Sequence, residues 1–493
     1  MRTATLPTAV KPLAQPAPAK ITTEQKATRL LRRTLIVLVL LLTFEGLLRK
    51  LEHGSVGVFI FLLKDVAILF MGVQLITRHK LPPAVGFLTV AYGVVTFFLL
   101  PNIIMTATHD PLLAVFGAKQ YLLYPIVGLT VFAVFQNATI DEVVRFCRLV
   151  AFLMIPAGVV ALIQTKLPST HWLNMSVEGS SLENFSSAGH LRVSSTFSFV
   201  AQFGAFLNMQ MFMVFFAFHG FTKLKSNLMK MIFLAPVPLL VISSYLTGSR
   251  GAVIGNSSVL VIAMVLGCMR FEFGKVAKFV AIAVIVAAVA LIFQFFFPSL
   301  MATYSVREQG HVFGVSEEIQ TRVWNSFFGW MSNTGPIPFF GNGLGIMSNG
   351  SDAISAYAKG FRLEGWTETD FATTFFEGGP YLIFVWYAFR YYIIFETTRR
   401  FLFQTSQELF LPGAFCQGYV ILVGLTGTLG IQPPIAIWWW LGVGLSSILW
   451  WRSIHPIEPA PDDSPKPPTQ AAHPVPQVAR GRSAYADRLH HRR

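Results

Sequence analysis

Apolar runs of about 20 residues recur along this chain, and they constrain its fold more than any motif it carries. The stretch VGVFIFLLKDVAILFMGVQLI from Val56 to Ile76 is one of them. As a helix, a run of this length crosses a hydrocarbon core of about 30 Å. Backbone groups in lipid must satisfy one another, so only helices and closed barrels can span. The alternating pattern of an outer-membrane barrel is absent, which leaves helices. Composition agrees, since 53% of residues are hydrophobic and 13% charged, against about 25% charged in soluble domains. The expected fold class is an all-α polytopic membrane protein, with about 12 transmembrane helices by apolar length and a large, partly helical periplasmic loop between helices 9 and 10.

The runs lie near 34–48, 56–76, 83–100, 112–135, 142–163, 197–218, 230–246, 251–268, 277–297, 371–395, 410–431 and 434–451. Counted from a cytoplasmic N-terminus, the basic connections TRHK, DEVVRFCR, KLKSNLMK, MRFEFGKVAK and TTRRF all fall on one side, as the positive-inside rule requires. Both termini are therefore expected in the cytoplasm and the 298–370 loop in the periplasm. The net charge of +14 reads as this orientation signal and not as a nucleic-acid surface. One connection dissents: Arg49 and Lys50 fall on the outer side, each with a glutamate, Glu45 or Glu52, nearby in sequence. The resulting organisation is a disordered cytoplasmic tail over 1–33, a transmembrane domain over 34–451 and a Pro-rich basic tail over 452–493. The N-terminus lacks the compact layout of a cleavable signal, so the first helix is expected to be retained.

Charges within spans cost about 2.5–3.5 kcal/mol on insertion scales and mark function by default. Adjacent Lys64 and Asp65 point to different sides of one helix, so each needs a partner on another helix. Glu45 pairs in sequence with Arg49 at i+4. Lys119 either contacts an anionic substrate or snorkels at a span mouth. Arg250, in the Gly-flanked break YLTGSRGAVIG, combines a guanidinium fork with the exposed amides of a following helix, an arrangement suited to phosphate. Arg192 stands just before a span and Arg322 inside the large loop. The carboxylates Glu364, Glu368 and Asp370, with Glu377 in the next span, are candidates for a general base; helix capping or solvation is the alternative for Glu364 and Asp370. Cys147, Cys268 and Cys416 are widely spaced and read as core hydrophobes. No HExxH, P-loop, CxxC or DxD pattern is present, so neither a metal nor another cofactor is expected, and FFGNGLG lacks the strand–turn–helix setting of a dinucleotide fingerprint.

In order along the chain, FEGLLRK at 44–50, LLKDVAIL, HLRVSSTFSF, YLTGSRGAVIG, TRVWNSF with FFGNGLG, and TETDFATTFFEGGPYLIFVWYAFR resemble the O-antigen ligase and polymerase superfamily, a set of membrane glycosyltransferases. The resemblance runs from Phe44 to Arg390. It implies a glycan donor carried on a polyprenyl pyrophosphate, engaged by Arg192, Arg250 and Arg322. The other partners it implies are a glycan acceptor, membrane lipid and a chain-length regulator, without nucleic acid. The ligase branch places histidine and asparagine nine residues before the glutamate of its E-x-G element. Here Glu377 anchors that element and Glu368, followed by Thr369, holds the corresponding position. This departure favours a polysaccharide polymerase over a lipid A ligase, with Glu368 as base, Arg250 and Arg322 stabilising the leaving group, and Lys119 and Arg192 binding substrate. A transporter or flippase for lipid-linked oligosaccharide is the alternative, and it predicts helices broken near the midplane.

Overall fold

The computed structural model describes residues 23–52, 55–78, 85–177, 191–218, 226–296, 298, 336–348, 350–361, 369–403 and 409–455. Among them no β-strand forms. Each of the apolar runs falls on a helix or on two consecutive ones. In chain order these are α1 (Thr23–Leu51), α2 (Ser55–Arg78), α3 (Gly86–His109), α4 (Pro111–Leu122), α5 (Pro125–Phe135), α6 (Ile140–Phe152), α7 (Met154–Gln164), α8 (Val200–Ala217), α9 (Asn227–Leu234), α10 (Pro236–Leu246), α11 (Arg250–Met269) and α12 (Phe273–Phe296). The short α13 (Ser351–Ile354) and α14 (Ala356–Phe361) lie in the large loop, followed by α15 (Asp370–Leu402), α16 (Phe410–Thr426) and α17 (Pro433–Ile454). Seven helical stretches among the described residues are long and apolar enough to cross a membrane, eight if the bent α4–α5 pair counts as one span. The described residues thus form an all-α membrane protein. α1 begins at Thr23 and buries Ala27 and Leu31, so helix extends well into the stretch expected to be a disordered tail. Residues 456–493, the bulk of the second expected tail, lie outside the described residues.

One helix forms the axis of the bundle. The apolar window of α17 is 89% buried, whereas that of α12 is 6% buried, which separates a helix enclosed by protein from one whose surface is left to lipid. Trp438, Trp439 and Trp440 are all buried in α17, and the Trp439 indole N–H donates to the Val420 carbonyl of α16 at 2.9 Å. Gly128 of α5 packs on Trp440 closely enough that an added Cβ would lie 3.1 Å from the Trp440 carbonyl oxygen and 3.2 Å from its ring, a tight fit.

Several helices are broken, and the breaks position the site. Proline lacks an amide hydrogen and clashes with the preceding turn. α4 and α5 meet at 42° just before Pro125. α15 kinks at Gly379, where φ is 64°, immediately before Pro380. Arg390 holds the far side of this kinked helix: wholly buried, it pairs with Asp370 and donates to the carbonyls of Gly424 and Gly427, both at 3.0 Å. Asp370 also accepts the Gly430 amide at 3.0 Å. The α16–α17 connection is thereby fastened to the start of α15.

Candidate functional site

Four of the sequence motifs meet at the end of the bundle formed by the C-terminus of α1. Lys64 on α2 donates to Glu45 on α1 at 2.9 Å, and Glu45 also takes Arg49 at 3.3 Å. Asp65 pairs with Lys119 of α4 at 2.9 Å. Lys64 and Asp65 thus find partners on two different helices, as their adjacency on α2 demands. The Phe61 ring lies 3.4 Å from the Lys64 ammonium, with Arg49 and Lys119 at 5.1 and 5.6 Å. Cation–π attraction offsets part of the repulsion among the three.

The HLRVSSTF segment packs directly on this group. Gly46 lies so close to the backbone of Phe197 that a Cβ would overlap it. The Leu47 amide donates to the Thr196 carbonyl at 2.8 Å. Arg49 reaches Ser198 at 3.4 Å, and Lys50 donates to Ser194 at 2.8 Å and to the Leu173 carbonyl at 3.1 Å. The turn is held rigidly: Ser195 adopts φ 54°, with its amide on Gln164 at 2.6 Å and its hydroxyl on the Ala157 carbonyl at 2.6 Å. Such a strained residue persists only where its surroundings over-determine it. The SRG motif closes the arrangement, since Arg192 donates to the Thr247 carbonyl at 3.3 Å, three residues before Arg250. α8 and α11 begin side by side there, with Gly204 facing Ala252.

A second assembly seats the GNGLG loop on the kink of α15. The three glycines at 341, 343 and 345 all take positive φ. The amides of Asn342 and Gly343 donate to the carbonyls of Phe376 and Glu377 at 3.1 and 2.9 Å, and Asn102 reaches the Phe340 and Gly378 carbonyls. The loop thus satisfies carbonyls that the helix break sets free. The wholly buried Glu377 accepts the Tyr121 hydroxyl and the Met347 amide, each at 2.9 Å. α4 links the two assemblies, because Lys119 faces Asp65 while Gly117 abuts Leu344 and Tyr121 bonds Glu377. At the end of α3, His109 stacks on Tyr357 at 4.9 Å. Asp110 has its carboxyl held below the usual range by a hydrogen bond from Ser355 and by the Leu113 and Leu112 amides of α4.

The sequence candidates fare unequally. Lys119 is an ion-pair partner of Asp65 and lies in the cationic group. Arg192 is brought beside the turn that leads to Arg250. For Arg250 the backbone is described, at the first position of α11 after an extended Ser249. Arg322, Glu364 and Glu368 lie outside the described residues. Asp370 is buried in its pair with Arg390, and Glu377 holds loop amides, which removes both as exposed bases. Cys268 is exposed, unlike Cys147 and Cys416, so it is not a core residue. Arg49 keeps its expected glutamate, but Lys50 does not: its hydrogen bonds go to Leu173 and Ser194 instead of Glu52. In the sequence Lys50 stands out only as a dissent from the positive-inside rule paired with Glu52, and not as a candidate ligand-binding residue. No family model, characterised protein or solved structure matches the chain.

Proposed function

We propose that this protein is an inner-membrane glycosyltransferase that uses a polyprenyl-pyrophosphate glycan donor and joins the glycan to a hydroxyl of an acceptor glycan, polymerising surface or exopolysaccharide repeat units at the periplasmic face. Its topology in this proposal is twelve spans, both termini cytoplasmic and the 298–370 loop periplasmic; a chain-length regulator is its expected partner. The observation that carries the proposal is an excess of cationic charge where separate motifs meet: among the described residues Arg49, Lys64 and Lys119 share only Glu45 and Asp65 in their ion pairs, and the buried Lys50 has no carboxylate partner. A dehydrated cluster with surplus positive charge favours an anionic ligand, and preorganised cations stabilise a departing pyrophosphate best where water is excluded. Arg192 bonds the Thr247 carbonyl, three residues before the start of α11 at Arg250. In the proposal Arg192 and Arg250 engage the pyrophosphate with Arg322, while Glu368 removes the acceptor proton.

The transporter alternative gains from one observation, the paired helix breaks at α4–α5 and in α15. One experiment separates the two. Purified protein in lipid vesicles receives a polyprenyl-pyrophosphate glycan without added metal. The glycosyltransferase lengthens the glycan, and Glu368→Gln lowers the rate by about a hundredfold to ten-thousandfold while still binding donor. Transbilayer movement of an intact donor, identical in wild type and Glu368→Gln, overturns the proposal.

A further inference from the structure

Lys50 is 1% exposed, yet among the described residues its ammonium meets no carboxylate. Two of its three N–H groups are used, on the Leu173 carbonyl and the Ser194 hydroxyl, and the third finds no partner among the described residues. Elsewhere in the bundle the fully buried Lys64 and Arg390 each hold a carboxylate. A buried charge left without a counter-ion is strongly unfavourable, and this one also stands on the side that the positive-inside rule disfavours in the proposed topology. The chain tolerates both penalties at one residue.

The surroundings complete a seat for an anion. Arg49, the preceding residue, reaches Ser198, and its Nε atom is buried with no partner. Thr196 is wholly buried in the same turn, and its hydroxyl has no partner either. α8 starts directly after Phe199, and no side chain caps its N-terminus. The end of α1 and the turn packed on it thus carry one unused ammonium N–H, one unpartnered guanidinium Nε and one unpartnered hydroxyl.

We propose that Arg49, Lys50 and the 194–198 turn form a phosphate-binding seat, in which a phosphate group supplies the counter-charge that Lys50 lacks. The inference deepens the proposed function by assigning one phosphate of the donor to this seat, and it rests on that reading for the identity of the ligand. A polyprenyl diphosphate headgroup and free inorganic pyrophosphate share the required chemistry.

The test uses the full-length protein in nanodiscs, with thermal stability and affinity measured for inorganic pyrophosphate and, separately, for polyprenyl diphosphate without a glycan. Lys50→Met keeps the stem and removes the charge. The expected result is an unliganded protein at least as stable as wild type, because an uncompensated charge has gone. Affinity falls about ten- to a hundredfold, the worth of one hydrogen bond to a charged group. Arg49→Gln weakens binding likewise, and Arg145→Gln, exposed on α6, does not. Stabilisation by both ligands, or by the lipid form alone, supports the seat and tells the sources apart. Lys50→Met that lowers unliganded stability and leaves the ligand-induced shift intact makes Lys50 a structural pin and overturns the inference. Should Lys50→Met not fold, unchanged affinity in Arg49→Gln overturns it. Glycan transfer unaffected by either variant refutes the seat alone, whereas phosphate binding without glycan transfer refutes only the glycosyltransferase.

Discussion

Glu377 is the residue whose role the structure changes most, and its replacement gives a graded prediction. Its two carboxylate oxygens accept the Tyr121 hydroxyl and the Met347 amide. Glu377→Ala leaves both donors buried without an acceptor, at about 1–3 kcal/mol each, so the loss is on the order of 2–6 kcal/mol. Glu377→Gln keeps a carbonyl oxygen for Met347 and lets the Tyr121 oxygen accept from the new amide; the loss is about 1 kcal/mol. The damage should be local. Amide hydrogen exchange over 341–347 speeds up in Glu377→Ala and changes little in Glu377→Gln, with thermal unfolding in detergent ranking the proteins in the same order. A catalytic base would behave differently, because Gln would remove activity as thoroughly as Ala while leaving the loop protected. Equal exchange protection of 341–347 in wild type and Glu377→Ala refutes the assignment of Glu377 as the anchor of the loop.

Asp370→Asn leaves the Arg390 guanidinium buried without a counter-ion and should destabilise by about 3–5 kcal/mol, with Asp370→Asn/Arg390→Met recovering part of the loss; thermal scans of the three proteins check it, and additive losses would refute the pairing. Burial holds the Lys50 ammonium at about 8 against an ordinary 10.5. Between those values the unfolded chain binds a proton that the native chain lacks, so stability contributed by this group rises with pH from about 8 to 10.5 and is lost as pH falls through 8, by an amount of order 3 kcal/mol. The charged and titratable neighbours along the same segments, Glu45, Arg49, Glu52, His171 and Arg192, are common to wild type and Lys50→Met, so the difference between their pH–stability curves isolates Lys50, and parallel curves would refute the effect. For the topology, a cysteine at the exposed Lys359, in a background lacking the exposed Cys268, should react with an impermeant thiol reagent in intact cells, and one at Ser464 should not; the reverse pattern inverts the orientation.

Hydropathy is a sum over neighbours in sequence, so the helical, bilayer-compatible character of this chain and the places of its helices could be read from residue order alone. The need of Lys64 and Asp65 for partners was equally local, since two adjacent charges on one helix cannot share a face. Which partners they take was not. Lys119 is 54 positions from Asp65, and nothing in residue spacing selects it over another cation. The runs 112–135 and 371–395 read as unbroken spans, and the breaks at Pro125 and Gly379–Pro380 came with the structure; a freed carbonyl can be satisfied by any donor that packing delivers, and here the GNGLG loop and Asn102 supply it. Glu377 carried the same chemical signature as a base until its surroundings appeared as a hydroxyl and an amide. Lys50 and Arg49 are neighbours in sequence with opposite fates: the Arg49 partner, Glu45, stands at i+4 on the same helix and was legible, whereas the burial of Lys50 without a carboxylate is decided by what other elements bring within about 4 Å.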